Sequence, residues 1–435
     1  MSARRDPPPS FCPAAPPAGV LPRRAFLELG MGAALWAGVG LPFGANAFAR
    51  GTKTGTKTPR ARACILLYME GGPSQLDTFD PKPGCPTGGP FKAIETNVKG
   101  VRISQHLPLL ARQMKRLCLI RSLTSREGNH DRARHLMHTG YPPQGGVDHP
   151  AFGSVVAAMH DARSVPGYVA IGGPGEDAGF LDAAFSPFPV LDPTKPTRNL
   201  GRAGGVDDGR FDTRLELWRT LQTGFAADHP GELASGQRAV GEQAVALMRS
   251  PSVAAFDIAS EPDAVKKAYG DSPFGAGCLM ARRLVAAGIP FVEVLLRGWD
   301  THEDNFPRVT ELSATLDQGM SALLDDLAAR GLLDSTLVMW MGDFGRTPVI
   351  NDRGGRDHFP TAGNVVLAGG GVKGAQVIGE TNAAGDEIVT RPVSVPDLYR
   401  SVAWAMRVDA DKTRFAPSGR PVKTVDGGTL ISELF

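Results

Sequence analysis

Apolar residues fall into two kinds of run along this 435-residue chain. Short continuous runs occupy residues 63–69 (ACILLYM), 117–120, 167–171, 290–296 (PFVEVLL), 335–341 (STLVMWM) and 364–368. Runs of that length with no polar alternation predict strands buried on both faces. Between them the apolar positions recur at helical spacing. Helices are expected at 107–116, 130–139, 151–160, 213–221, 236–248, 276–287, 309–330 and 395–406. In the longest, Leu312, Leu316, Met320, Leu323, Leu324 and Leu327 make one stripe. Gly140 and Pro142-Pro143 stop the 130–139 helix. Strands that alternate with helices predict an α/β protein, a doubly wound sandwich around a mostly parallel sheet. The stretch 175–235 is rich in Gly, Pro and Asp and reads as an insertion over that sheet. No internal repeat interrupts the pattern.

The amino-terminal pattern is different. Arg23-Arg24-Ala25-Phe26-Leu27 precedes a Gly/Ala-rich apolar run at 29–41, then Ala47-Phe48-Ala49. Paired arginines, a short apolar core and a small-x-small site, in that order, read as a twin-arginine export signal cleaved after residue 49. The run is too short to span a bilayer, so no stable membrane span is expected after cleavage. Residues 50–60 form a polar tether, and 61–435 a single large domain. The expected partner is the twin-arginine machinery and the expected location periplasmic. Proteins that collect a metal before export often leave by this route already folded.

Composition adds little beyond exclusions. Hydrophobic content of 42% and charged content of 21% suit a globular core. A formal charge of +2 with no basic block in the mature region excludes nucleic acid as a partner. The five cysteines, at 12, 64, 85, 118 and 278, contain no CxxC pair, so no zinc knuckle or disulfide framework is indicated. One bridge stays open for an oxidising compartment.

Chemistry gathers where the strands end. The first strand runs into Glu70 and Asp77, the 290–296 strand into Asp300 and His302, and the 335–341 strand into Asp343 and Arg346. A further loop, Gly354-Gly355-Arg356-Asp357-His358, lies between two strands. In parallel sheets, ligands sit beyond the carboxyl ends of the strands. Taken singly, an Asp after a strand is more often a turn or cap, and a lone His a hydrogen-bonded structural group. Four loops with the same ligand types at one sheet edge point to a divalent-metal site.

At these residues the chain resembles a known family. GGPSQLDTFDPKP, HxxxxHLMHTG, GWDTHEDN, MGDFGRTP and GGRDHFP occur, in this order, in the exported bacterial family called domain of unknown function 1501, which looks like a branch of the alkaline phosphatase and sulfatase superfamily. The resemblance implies an alkaline phosphatase-like α/β/α sandwich that hydrolyses phosphate or sulfate esters with zinc, manganese, magnesium or calcium. It implies metal ligands among Glu70, Asp77, Asp300, His302, Asp343 and His358, with Asp304 an alternative to His302. The histidine that the superfamily places after its later aspartate is replaced here by Phe344. In the sulfatase pattern C/S-x-P-S-R-x-x-x-x-T-G, matching Thr139-Gly140 to the end puts His130 at the nucleophile and Arg134 at the arginine. No Ser, Thr or Cys stands there; Thr124 and Ser125 lie just upstream. His130, Arg134 and Arg346 are therefore the expected catalytic and anion-holding groups, with His130 facing Asp300 and Asp343. A second function class fits the missing hydroxyl: a non-catalytic protein of the same fold that recognises anionic, sulfated or phosphorylated glycans.

Overall fold

The computed structural model describes residues 61–143, 145–160, 165–229 and 231–435. The twin-arginine segment, its cleavage site and the tether lie outside the described residues. The main sheet is built from β1 (Ala63–Met69), β2 (Leu117–Thr124), β3 (Tyr168–Ile171), β4 (Phe188–Val190), β5 (Phe291–Leu296), β6 (Thr336–Gly342), β7 (Gly363–Gly369), β8 (Gln376–Ile378) and β9 (Val393–Ser394). Its order is β8-β2-β7-β6-β1-β5-β3-β4, with β9 also paired to β2. Strand β7 alone runs antiparallel to its neighbours; the others are parallel.

The helices are α1 (Pro108–Gln113), α2 (His130–Thr139), α3 (Phe152–His160), α4 (Asp208–Asp228), α5 (Glu232–Arg249), α6 (Asp263–Tyr269), α7 (Pro273–Ala286), α8 (Asn305–Ala329) and α9 (Val395–Ala405). Every residue of β1 is buried, and successive side chains serve opposite faces. Ile65, Leu67 and Met69 pack into a core with Leu279 of α7 and Leu316 and Leu323 of α8. Cys64, Leu66 and Tyr68 face a second core with Val155 and Val156 of α3 and Leu398 and Val402 of α9. Two cores separated by one sheet make the α/β/α sandwich that the alternating pattern predicts.

Several elements differ from expectation. The 107–116 helix breaks at Gln113 into a 3-10 turn, Met114–Arg116. The helix expected at 213–221 is the middle of α4, which has 21 residues. Strands β4, β8 and β9, of two or three residues each, were not anticipated, and neither was α6.

The direction of β7 positions the site. Because β7 is antiparallel, its amino end lies beside the carboxyl end of β6, so the connection from Asp343 through His358 never leaves that edge. Helix α2, which follows β2, starts at the same edge. Its Asn129 cap accepts the Arg132 N–H at 3.3 Å, and Gly140 ends it in the left-handed region at φ +78°.

Candidate metal centre

Three imidazoles surround one carboxylate oxygen at this edge. Asp300 Oδ1 lies 3.3 Å from His130 Nε2, 3.2 Å from His302 Nε2 and 3.5 Å from His358 Nε2. His130, Asp300 and His358 place ligand atoms within 4.8 Å of one another. His302 joins from the other side, its Nε2 only 2.8 Å from that of His358.

The opposite ring nitrogens are all spoken for. His130 Nδ1 lies 2.7 Å from Asp343 Oδ2, His302 Nδ1 2.6 Å from Asp357 Oδ1, and His358 Nδ1 2.7 Å from the Gly128 carbonyl. Each partner is an acceptor, so each Nδ1 carries the proton, and in the neutral ring each Nε2 turns a lone pair inward. Two lone pairs at 2.8 Å repel unless a proton or a cation lies between them. Buried His130 Nε2 has no hydrogen-bond partner. This residue set fits a metal: ligating histidines commonly donate the other ring N–H to a carboxylate or backbone carbonyl.

Neighbouring charge supports the same fit. The hydrogen bond to Asp343 raises the proton affinity of His130 against the opposing effect of burial, and the Asp343 and Asp300 charges add to it. Burial alone would raise the Asp300 carboxyl, but Arg346, His130 and His302 hold it below the usual carboxylate range. Burial, with the Arg346 charge, pushes His358 down against the pull of the Gly128 carbonyl. The His302 hydrogen bond lowers Asp357.

Local geometry sets these groups in place. Gly71, at φ +108°, turns the chain just beyond β1, and a Cβ there would lie 2.4 Å from the Asp300 nitrogen. Only glycine lets this turn lie against Trp299-Asp300. Arg346 is fully buried and donates to the Gly71 carbonyl, to the Gly72 carbonyl at 2.9 Å, to the Arg356 carbonyl at 3.2 Å and to Asp300 Oδ1 at 2.7 Å. The loops at 301–305 and 351–358 zip together through Arg356 N–H to the Thr301 carbonyl (3.0 Å) and Asn305 N–H to the Gly354 carbonyl (3.1 Å). That pairing brings His302 against His358.

The expected site residues thus divide. His130, Asp300, His302 and His358 face the centre. Asp343 stands behind His130, its Oδ2 also taking the Gly71 N–H at 3.0 Å and its Oδ1 the Tyr68 hydroxyl. Arg346 points inward with its donors engaged, so the expectation that it grips a ligand anion gives way to a scaffold role. Asp77 is away from the centre: wholly buried, it pairs with Arg356 at 2.7 and 3.1 Å and accepts from Asn305 at 2.9 Å. Glu70 lies at the rim between Arg297 (2.8 Å) and Arg134 (3.4 Å). Asp304 is exposed at the start of α8. Arg134, half-buried one turn along α2 from His130, also contacts Glu176 at 3.3 Å. Ser125 Oγ accepts the Glu127 N–H at 3.3 Å. Phe344 packs against the rings of both His130 and His358, with centroids at 4.9 and 4.6 Å.

Asp357 and Tyr68 were not anticipated as supports. Asp357 was visible as the neighbour of His358, but Tyr68 reads as one more apolar strand residue. Glu293 was missed too, although one acid inside an apolar strand is a signal. It is buried, accepts from Tyr168 and lies 3.2 Å from His138 Nε2. His138 is therefore a core group, its Nδ1 donating to the Arg134 carbonyl at 2.8 Å.

The fold and this edge define a mostly parallel α/β protein with a histidine–aspartate centre at its strand ends. The chain belongs to the family described as "Protein of unknown function (DUF1501)", matched over residues 61–435. Among curated proteins none matches it. Similar solved structures include the alkaline phosphatase from the Antarctic bacterium TAB5, at 14% identity over 81% of this chain and 99% of that one, with a TM-score of 0.34. PsFucS1 sulfatase from Pseudoalteromonas sp. is 13% identical over 81% and 69% of the two chains, with a TM-score of 0.39. The lipoteichoic acid synthase LtaP from Listeria monocytogenes is 9% identical over 80% and 73%, with a TM-score of 0.37.

Proposed function

We propose that this protein is an exported, metal-dependent hydrolase of phosphate or sulfate esters, with the cation held by His130, Asp300, His302 and His358. The observation that carries the reading is the set of three inward Nε2 lone pairs around Asp300 Oδ1, each with its Nδ1 proton committed elsewhere. Three imidazoles and one carboxylate suit zinc or manganese better than calcium or magnesium, which take oxygen ligands. The ester class comes from the family resemblance. A bound divalent cation supplies Lewis-acid polarisation of an ester oxygen and eases ionisation of water.

The chain's own groups prepare that chemistry. Asp343 and Asp357 hold the Nδ1 protons of His130 and His302 and so fix their tautomers. Arg346 keeps Asp300 ionised and locks the Gly71-Gly72 turn. Arg134 is the guanidinium at the rim, placed to meet an anionic group, once its contacts to Glu70 and Glu176 yield. Export would proceed through Arg23-Arg24. Replacing both by Lys should block it, and normal periplasmic levels of that variant would remove the export half of the reading.

Elemental analysis of the purified protein and of His358→Ala tests the centre. Release of p-nitrophenol from its phosphate and sulfate esters, with and without chelator, tests the reaction. Bound metal that His358→Ala loses, and turnover that chelation stops, are expected. A protein that purifies without metal, and whose thermal midpoint ignores added zinc and manganese, ends this reading. The second reading, a non-catalytic receptor for anionic glycans, draws on the imidazole at the position where the sulfatase pattern has its nucleophile. Metal content without turnover of any ester would favour it.

A further inference from the structure

Helix α4 carries a pattern that the metal centre does not use. It buries Leu215 toward the body while Leu217, Leu221 and Phe225 stand 60%, 63% and 48% exposed. A spacing of four residues puts these three on one outward stripe. Following the stripe by helical turns adds Arg210, Thr213 and Arg214 toward the amino end, and Gly224 and Asp228 toward the carboxyl end. Two charges on the opposite face are consumed by α5: Arg219 holds Glu242 at 2.8 and 2.6 Å, and Asp212 is held by Arg249. Arg210 and Asp228, at opposite ends of the stripe, make no ion pair among the described residues.

We infer that α4 is the interface through which two copies of this chain associate, packed antiparallel about a two-fold axis near residue 219. Such an axis pairs residues equidistant from it. Leu217 then meets the partner's Leu221, and Leu221 the partner's Leu217. Arg210 meets the partner's Asp228, and the symmetry makes that pair twice. Phe225 lies against the partner's Thr213. Arg214 faces the partner's Gly224, where the missing side chain leaves room for its stem beside the partner's Phe225. A parallel arrangement would set Arg210 against the partner's Arg210 and Asp228 against the partner's Asp228, so like charges exclude it. The stripe is thus complementary to itself in one orientation only, which favours a second copy over an unrelated partner.

The interface is small. From residue 210 to 228 the stripe runs about 27 Å at 1.5 Å per residue. One helix face falls short of the roughly 800 Å² per partner found in stable complexes, so association belongs in the micromolar range. It is independent of the metal centre and of the proposed reaction.

Sedimentation equilibrium of the full chain, from about 1 to 200 μM, reads this directly. The parent should show a monomer–dimer equilibrium. Leu217→Glu with Leu221→Glu should weaken it at least about a hundredfold, since two buried leucines become charged. These positions are exposed in the monomer, so its circular dichroism and thermal midpoint should not change. Arg210→Asp alone should weaken dimerisation about tenfold, and adding Asp228→Arg should restore it. A parent that stays monomeric throughout overturns the inference. So does a dimer indifferent to the leucine changes, or a paired charge exchange that fails to recover what Arg210→Asp lost.

Discussion

Asp77→Asn separates two roles that one residue could play. Asp77 and Arg356 are both wholly buried, and among the described residues the carboxylate is the only anion that Arg356 touches. Asparagine keeps the shape and removes the charge, which strands a guanidinium in the interior. Breaking a buried pair from one side costs about 3–5 kcal/mol. Arg356 retains the Thr347 carbonyl at 3.1 Å, the Thr87 carbonyl at 2.9 Å and the Pro348 carbonyl, so the lower end applies. About 3 kcal/mol is a shift of roughly 150-fold in the folding equilibrium. Urea unfolding at neutral pH should show that loss with an unchanged slope. Metal content per folded molecule should equal the parent's, because Asp77 lies outside the histidine cluster. Replacing Asp77 by Leu together with Arg356 by Met should recover much of the stability, as exchange of a buried pair for apolar volume often does. The reasoning fails if Asp77→Asn unfolds within about 1 kcal/mol of the parent yet loses its metal.

Two further outcomes follow from the same contacts. Asp343→Asn should weaken metal affinity about 10–100-fold in a calorimetric titration, since His130 loses the carboxylate that fixes its tautomer; equal affinity would show that Asp343 does not support the centre. Asp317, buried beneath α1, accepts the Leu109 and Leu110 N–H groups at 2.8 and 2.7 Å, yet burial raises its carboxyl to about 6. Its folded value lies above the unfolded one, so its contribution is full below pH 4 and is lost as pH rises through about 6. Relative to Asp317→Asn, the parent should therefore lose about 3 kcal/mol between pH 4 and pH 7 in urea titrations, and parallel pH profiles would contradict this.

The sequence reveals the strands that are buried on both faces and long enough to leave a run. β1, β5 and β6 fall within a residue of expectation. The sheet's margins were hidden because two or three residues carry no period, and α6 is only about two turns. Pairing direction was hidden as well: nothing within residues 364–368 distinguishes an antiparallel strand, because direction depends on the connection. At the centre, Asp300, His302 and His358 stand out as ligand types in strand-end loops. Which of them face inward is not written in spacing. Asp343 and Asp300 follow their strands alike, yet one faces the cluster and the other backs an imidazole, because Tyr68 and the Gly71 N–H take hold of Asp343 first. Asp77 likewise looks like a ligand until Arg356, distant in sequence, closes on it.

The antiparallel course of β7 and the separate origins of the imidazoles bear on when a cation is acquired. His130 comes from one strand end, Asp300 and His302 from a second, and His358 from the return loop that precedes β7. No short peptide contains the set, so an unfolded chain has nothing resembling a chelate to offer, unlike a zinc finger. With neutral imidazoles, Asp300, Asp343 and Asp357 against Arg346 leave an excess of two negative charges, which hydrogen bonds to Tyr68, Gly71 and the histidines hold in place without a cation. If the centre takes a cation, loading would therefore follow folding and add stability by mass action. Competition among first-row metals is settled largely by supply. If the chain leaves the cytoplasm already folded, the compartment in which it folds, and not the one in which it works, chooses its metal.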